Sequence, residues 1–86
     1  MPVELRLLAA RVAQGDTKAY RQIVEHTQPR LYRLAAQLMG NLADGEDALQ
    51  ESYVKAYKAL RAGRYDGRSQ LLTWLYRIVT NSCIDA

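Results

Sequence analysis

"DGEDALQESYVKAYKAL", residues 44–60, decides how this chain folds. Leu49, Tyr53, Ala56, Tyr57 and Leu60 recur at intervals of three and four, the spacing of a helix that buries one stripe. Asn41 or Asp44 supplies a side-chain acceptor to cap its start. Beside the stripe runs a strip that it does not use: Asp47, Gln50, Glu51 and Val54. Asp44, Glu46 and Asp47 belong to the expected first turn, where the positive end of the helix dipole favours acids. That explanation stops short of Gln50 and Glu51, which sit beside apolar Val54. Such a strip suits a groove or a basic partner helix.

Upstream, Leu5, Leu8, Ala9 and Val12 describe a short amphipathic helix closed by Gly15, and Asp16 caps the next. Tyr20, Ile23, Val24, Thr27, Leu31, Leu34, Ala35 and Leu38 carry one stripe on to Gly40 and Asn41. Pro29 lies inside that stripe without an N–H to donate, which predicts a kink or a restart near Gln28. Downstream, Gly63 and Gly67 bracket a loop, and Ser69 is expected to cap a fourth helix. Its inner side is Leu71, Leu72, Leu75, Ile78, Val79 and Ser82. No stretch alternates as a strand does. The expected fold is all-α, a compact bundle of three long helices and one short N-terminal helix. Helical periodicity is still running at Ala86 with no glycine, proline or cap, so a piece of a longer protein is expected.

The 86 residues make one small domain, and 49% apolar with 24% charged residues is a globular composition. Cys83 is the single cysteine, which excludes an internal disulfide and favours a reduced, cytoplasmic setting. The N-terminal "MPVELRLLAARVAQGD" lacks the basic head, apolar centre and cleavage site of a signal peptide. No run approaches the roughly 18 apolar residues of a membrane span. The net charge of +3 is unevenly spread. Residues 1–54 carry six cations against seven anions, and residues 55–86 carry six cations against two. That electropositive C-terminal third suits a polyanion, or is simply a solvated basic face.

The fourth helix favours the polyanion. With Leu71, Leu75, Ile78 and Ser82 inside, its outer side carries Thr73, Tyr76, Arg77, Thr80 and Asn81. Hydroxyl, guanidinium and amide groups bond phosphates and base edges, and the ring can stack on a base. Lys55 and Lys58 on the preceding helix, with Tyr65, Arg68 and Ser69 in the loop, extend this surface. A basic aromatic patch of that kind fits unpaired DNA better than a duplex groove. Trp74 neighbours Leu71 and Ile78 on the helical wheel and reads as packing at the core edge. His26 and Cys83 stand alone, and there is no metal spacing, P-loop, nucleophile elbow or catalytic carboxylate pair. No enzyme, cofactor or metal is expected. The competing reading is a helical protein–protein interaction module that binds no nucleic acid.

"DGEDALQESYVKAYKAL" followed by "SQLLTWLYRIVTNSCID" (residues 69–85) resembles region 2 of bacterial sigma factors. It is most similar to the extracytoplasmic-function (ECF, group 4) branch, with its D-x-x-Q-E helix and W-L-Y-R-I-x-x-N helix. "AQGDTKAYRQIVEHTQPRLYRLAAQLMGN" (residues 13–41) resembles the family's first segment, so the likeness covers essentially the whole chain. It implies that the helix with Asp44, Asp47, Gln50, Glu51 and Val54 docks on the clamp coiled coil of the RNA polymerase β′ subunit. It also implies that the loop and fourth helix recognise the promoter minus-ten element on the non-template strand and help to melt it. Lys55, Tyr65 and Tyr76 match the family's pocket for a flipped base, and Asn81 its base-contacting asparagine. The loop "AGRYDGRSQ" has Tyr65 where many members have a phenylalanine, and it is longer. Residues 1–86 are expected to be a region 2 domain alone, without the family's second domain, the helix-turn-helix of region 4. An anti-sigma factor is the further partner that the resemblance implies.

Overall fold

The computed structural model describes residues 4–85. Four helices follow one another: α1 (Leu5–Ala13), α2 (Thr17–Met39), α3 (Leu42–Arg61) and α4 (Leu71–Asp85). No strand occurs among the described residues, and the fold is the all-α bundle that the sequence predicts. The expectation that helical periodicity continues into Ala86 lies outside the described residues.

Local chemistry sets the helix ends. Gly15, at φ 103°, follows α1, and the amides of Gly15 and Asp16 bond back to the carbonyls of Val12 and Arg11. This double closure needs a residue that tolerates the left-handed region. The Asp16 carboxylate then accepts the Ala19 N–H at 3.2 Å and caps α2. Contact with Arg11 at 2.7 Å pairs that carboxylate across the turn. At the fourth helix the sequence expectation needs correcting. Gln70, not Ser69, precedes α4, and its carbonyl takes the Trp74 N–H at 3.1 Å. Ser69 instead stays in the loop and gives its carbonyl to the Tyr65 hydroxyl.

No restart occurs at Pro29, because α2 runs unbroken through it. The carbonyl deprived of a partner belongs to Glu25, and both Glu25 and Pro29 lie on the exposed face where water can reach. The opposite face supplies Ala19, Ile23, Thr27, Leu31 and Ala35, all buried. They meet Leu8, Ala9 and Val12 of α1, Ala48, Leu49, Ala56 and Leu60 of α3, and Leu71, Leu75 and Val79 of α4. Burial of each large aliphatic side chain among these stabilises the fold by about 1.5–3 kcal/mol. Leu38, expected in the stripe, is 47% exposed; in this last turn of α2 it is Met39 that packs against the core.

Two features make the α2–α3 contact specific. Gly45 is buried in α3, and a Cβ built there would lie 2.6 Å from the Ala36 Cα and 2.7 Å from its nitrogen. Backbone meets backbone at that point. Further along, Thr27 Oγ1 donates to the Ile23 carbonyl at 2.8 Å and meets the Tyr53 hydroxyl at 2.7 Å. The Tyr20 hydroxyl donates to the Tyr53 carbonyl, and its ring stands edge-on to Tyr57 at 5.1 Å. Every fully buried side-chain polar atom among the described residues has a partner. Burial pushes the pKa of both Tyr20 and Tyr53 upward.

Gly45→Ala will lower stability. Alanine gains about 0.5–1 kcal/mol over glycine inside a helix. The clash is with backbone that cannot rotate away, and overpacking of that kind costs about 1–3 kcal/mol, so the steric loss wins. Thermal denaturation followed by circular dichroism should show a lower midpoint; an unchanged one would contradict the close crossing. A second expectation concerns alkaline pH. The unfolded tyrosines lose their protons near pH 10, whereas the folded Tyr20 and Tyr53 hold theirs to higher pH. The native state then binds more protons, so stability is complete below about pH 10 and falls as pH rises. Denaturant titrations across that range should show a shallower fall for Tyr20→Phe than for the parent chain.

Candidate nucleic-acid interface

The acidic strip of α3 is open along its length. Asn41 caps the helix reciprocally: its Oδ1 accepts the Asp44 N–H at 2.8 Å while its amide donates to the Asp44 carboxylate at 2.8 Å. Because α3 starts at Leu42, Asp44 is the only acid in its first turn. Glu46 and Asp47 fall in the second turn, contrary to the sequence reading, and the dipole accounts for less of them there. Asp47, Gln50 and Glu51 are exposed, and Val54 keeps 54% of its surface in water. Glu51 pairs with Lys55 one turn on at 3.2 Å. An exposed pair at that spacing contributes only about 0.3–0.5 kcal/mol.

Lys55 also reaches across the helix pair and donates to Ser82 Oγ at 3.4 Å. It stands at one wall of a groove of about 520 Å³ between the end of α3 and α4, with Lys58, Arg64, Ile78, Asn81 and Ser82. Around α4 a second hollow, about 380 Å³, is lined by Thr73, Tyr76, Arg77, Thr80 and Asn81. The five outer-face residues expected from the sequence therefore do share one surface. Asn81 belongs to both hollows and joins Lys55 and Lys58 to that face.

The loop is placed differently. Tyr65 is half-buried, its ring 5.2 Å from Trp74 at 47°, with its hydroxyl on the Ser69 carbonyl. It lines a hollow with Arg6, Ala9, Ala13 and Leu60, toward α1. Tyr76 and Asn81 face the α4 hollow instead, so the three are not gathered into one pocket in this arrangement. Trp74 sits half-buried against the core, as its wheel position predicts. Arg68 is exposed; its amide bonds the Asp66 carboxylate at 2.9 Å, and its guanidinium lies 3.5 Å from the same group.

Arg61 leaves the basic surface to which its sequence position assigned it. Its guanidinium donates to the carbonyls of Ala13 at 2.9 Å and Val12 at 3.3 Å, satisfying the C-terminal end of α1. Arg64 stays on that surface at the first groove, and the fold adds Arg30 and Arg33 beside Tyr76. Arg30 and Arg33 are three residues apart and off the buried stripe of α2, but only the packing of α2 on α4 puts them there. Burial raises the pKa of the Cys83 thiol and keeps it protonated. Among the described residues there is no group of three or more side chains suited to hold a metal. Nor, among the described residues, is any helix long and apolar enough to cross a membrane.

Residues 23–86 match the family profile Sigma-70 region 2. The ECF RNA polymerase sigma factor SigW of Bacillus subtilis is 33% identical over 85 residues, which is 99% of this chain and 44% of SigW. Similar values hold for SigM of Mycobacterium tuberculosis, 38% identical over 95% of this chain and 40% of that protein. For the ECF RNA polymerase sigma-E factor of Salmonella typhimurium they are 39%, 90% and 39%. The chain thus spans less than half the length of these curated relatives. No solved structure matches.

Proposed function

The chain belongs to the sigma-70 region 2 family, transcription-initiation domains rather than enzymes, and from this we propose that it joins RNA polymerase to melted promoter DNA. In this reading α3 presents Asp44, Asp47, Gln50, Glu51 and Val54 to the clamp coiled coil of the β′ subunit. Lys55, Lys58 and the outer face of α4 take the non-template strand of the minus-ten element. Tyr65, Arg68 and Ser69 form the loop that borders the unstacked base. The setting is cytoplasmic, and an anti-sigma factor is a further partner covering the same faces. Alone, the domain binds promoter DNA weakly and does not start transcription.

The observation that carries this reading is Asn81, which stands between a lysine-lined groove and a face of hydroxyls, an aromatic ring and a guanidinium. A backbone phosphate and a base edge can be held there together, as single-strand recognition requires. The exposed acid–glutamine–valine strip favours a second, protein partner. Its charge is opposite in sign to the DNA surface, so the two partners occupy adjacent faces without competing.

Selection from a randomised single-stranded pool should enrich one short element. Anisotropy should then show tighter binding of that strand than of its scrambled version or its duplex. Asn81→Ala should erase about 1–3 kcal/mol of that preference, the usual worth of one good base contact. Equal binding of all three DNAs by the parent chain would overturn the strand-specific part. The polymerase part is independent: Asp47→Lys with Glu51→Lys should abolish binding to a β′ clamp coiled-coil fragment. Retained binding would refute it.

A further inference from the structure

A third hollow, about 450 Å³, lies between α2 and α4 and is lined by Arg30, Arg33, Leu34, Gln37 and Tyr76. Tyr76 is also a wall of the α4 hollow, just as Asn81 is a wall shared by the α4 hollow and the lysine groove. The three depressions therefore run in series from α3, over α4, to α2. Their linings hold six cations, Lys55, Lys58, Arg64, Arg77, Arg30 and Arg33, and no carboxylate. Of the six, only Lys55 takes part in an ion pair among the described residues. A run of cations that acids do not neutralise, interrupted by the half-buried ring of Tyr76, is how a protein tracks an unpaired strand.

We infer that the α2 hollow is a binding site for the sugar–phosphate backbone of the same single strand, continuing its path beyond Tyr76. This deepens the function proposed above and rests on it. Arg30 and Arg33 bind phosphate oxygens on either side of one nucleotide, and Tyr76 marks the point where the strand leaves the α4 face. Gln37 adds an amide donor. Because these groups meet phosphates and not base edges, the site adds affinity and no sequence preference. It also lengthens the footprint beyond the residues in the family motif. Nothing in the linear sequence would have grouped these arginines with α4, since forty-three positions separate Arg33 from Tyr76.

Two labelled oligonucleotides test this: a short strand holding only the selected element, and one extended on both sides. Each is titrated against the parent chain and Arg30→Gln/Arg33→Gln across a range of salt. Each phosphate contact on a single strand contributes about 0.7 to the slope of log affinity against log salt, so two lost contacts remove about 1.4. The variant should lose that slope on the extended strand and bind it several-fold more weakly. It should match the parent on the short one. Arg30→Lys/Arg33→Lys should restore most of the slope, and circular dichroism should show both variants folded. Identical slopes for parent and glutamine variant on the extended strand would overturn the site. So would an equal loss on the short strand, or a loss seen only with polyglutamate, which would mark the hollow as a protein surface. If the parent chain bound selected and scrambled extended strands alike, strand recognition would fail while the slope difference still decided the site.

Discussion

The approach of Gly45 to Ala36 governs the geometry of the bundle. A side chain of even one carbon would intrude on the Ala36 backbone, so the crossing of α2 and α3 is set by main chain against main chain. Interiors pack at crystal-like density, and a contact of that kind cannot be shifted without opening voids elsewhere. With α3 held so close, Leu49, Ala56 and Leu60 fill the space beside Ile23, Leu31 and Ala35, and α4 closes the remaining side. The bonds that Tyr53 makes, its carbonyl accepting from the Tyr20 hydroxyl and its own hydroxyl meeting Thr27, add direction to the same contact. Sliding α3 along α2 would strand half-buried hydroxyls, at about 1–3 kcal/mol for each one left unpaired.

From that frame follows the separation of charge. One face of α3 points inward, and its flanks point two ways: Asp47, Gln50 and Glu51 to solvent on one side, Lys55 and Lys58 toward α4 on another. The Glu51–Lys55 pair lies on the seam between them. Opposite potentials on neighbouring faces suit a module that bridges two partners of opposite charge, because each partner is repelled by the other's site. Arg61 is the exception that clarifies the rule. It neighbours the basic surface in sequence but spends its charge on the carbonyls ending α1, so the shortest helix is held at its loose end by the longest-reaching side chain of α3.

Much of this was legible in residues 44–60 and 69–85. Apolar spacing located the helices to within a residue or two, and Gly15, Asp16 and Asn41 announced their joints. The outer face of α4 came from the wheel alone. What failed did so for physical reasons. Ser69 looked like a cap, but its carbonyl serves Tyr65, and the helix opens one residue later. Leu38 continued the stripe by spacing, but at the end of α2 Met39 takes the place against the core. Glu46 and Asp47 were counted into a first turn that begins earlier, because Asn41 outcompeted Asp44 for the cap. Summing charges by sequence position hid Arg30 and Arg33, which belong to the N-terminal half of the chain and to the basic surface of the fold. A helical wheel sees one helix at a time, whereas a surface is shared by several.

The pairing of Tyr65 with Trp74 has a practical side. Trp74 is the only tryptophan, and the ring against it comes from the loop and not from a helix. Its indole is half in solvent and half against the core, so its emission depends on whether the loop is seated. The chain therefore carries an optical gauge of the loop between α3 and α4. Lifting the loop would change the light from one residue while the helical signal in the far ultraviolet stayed constant.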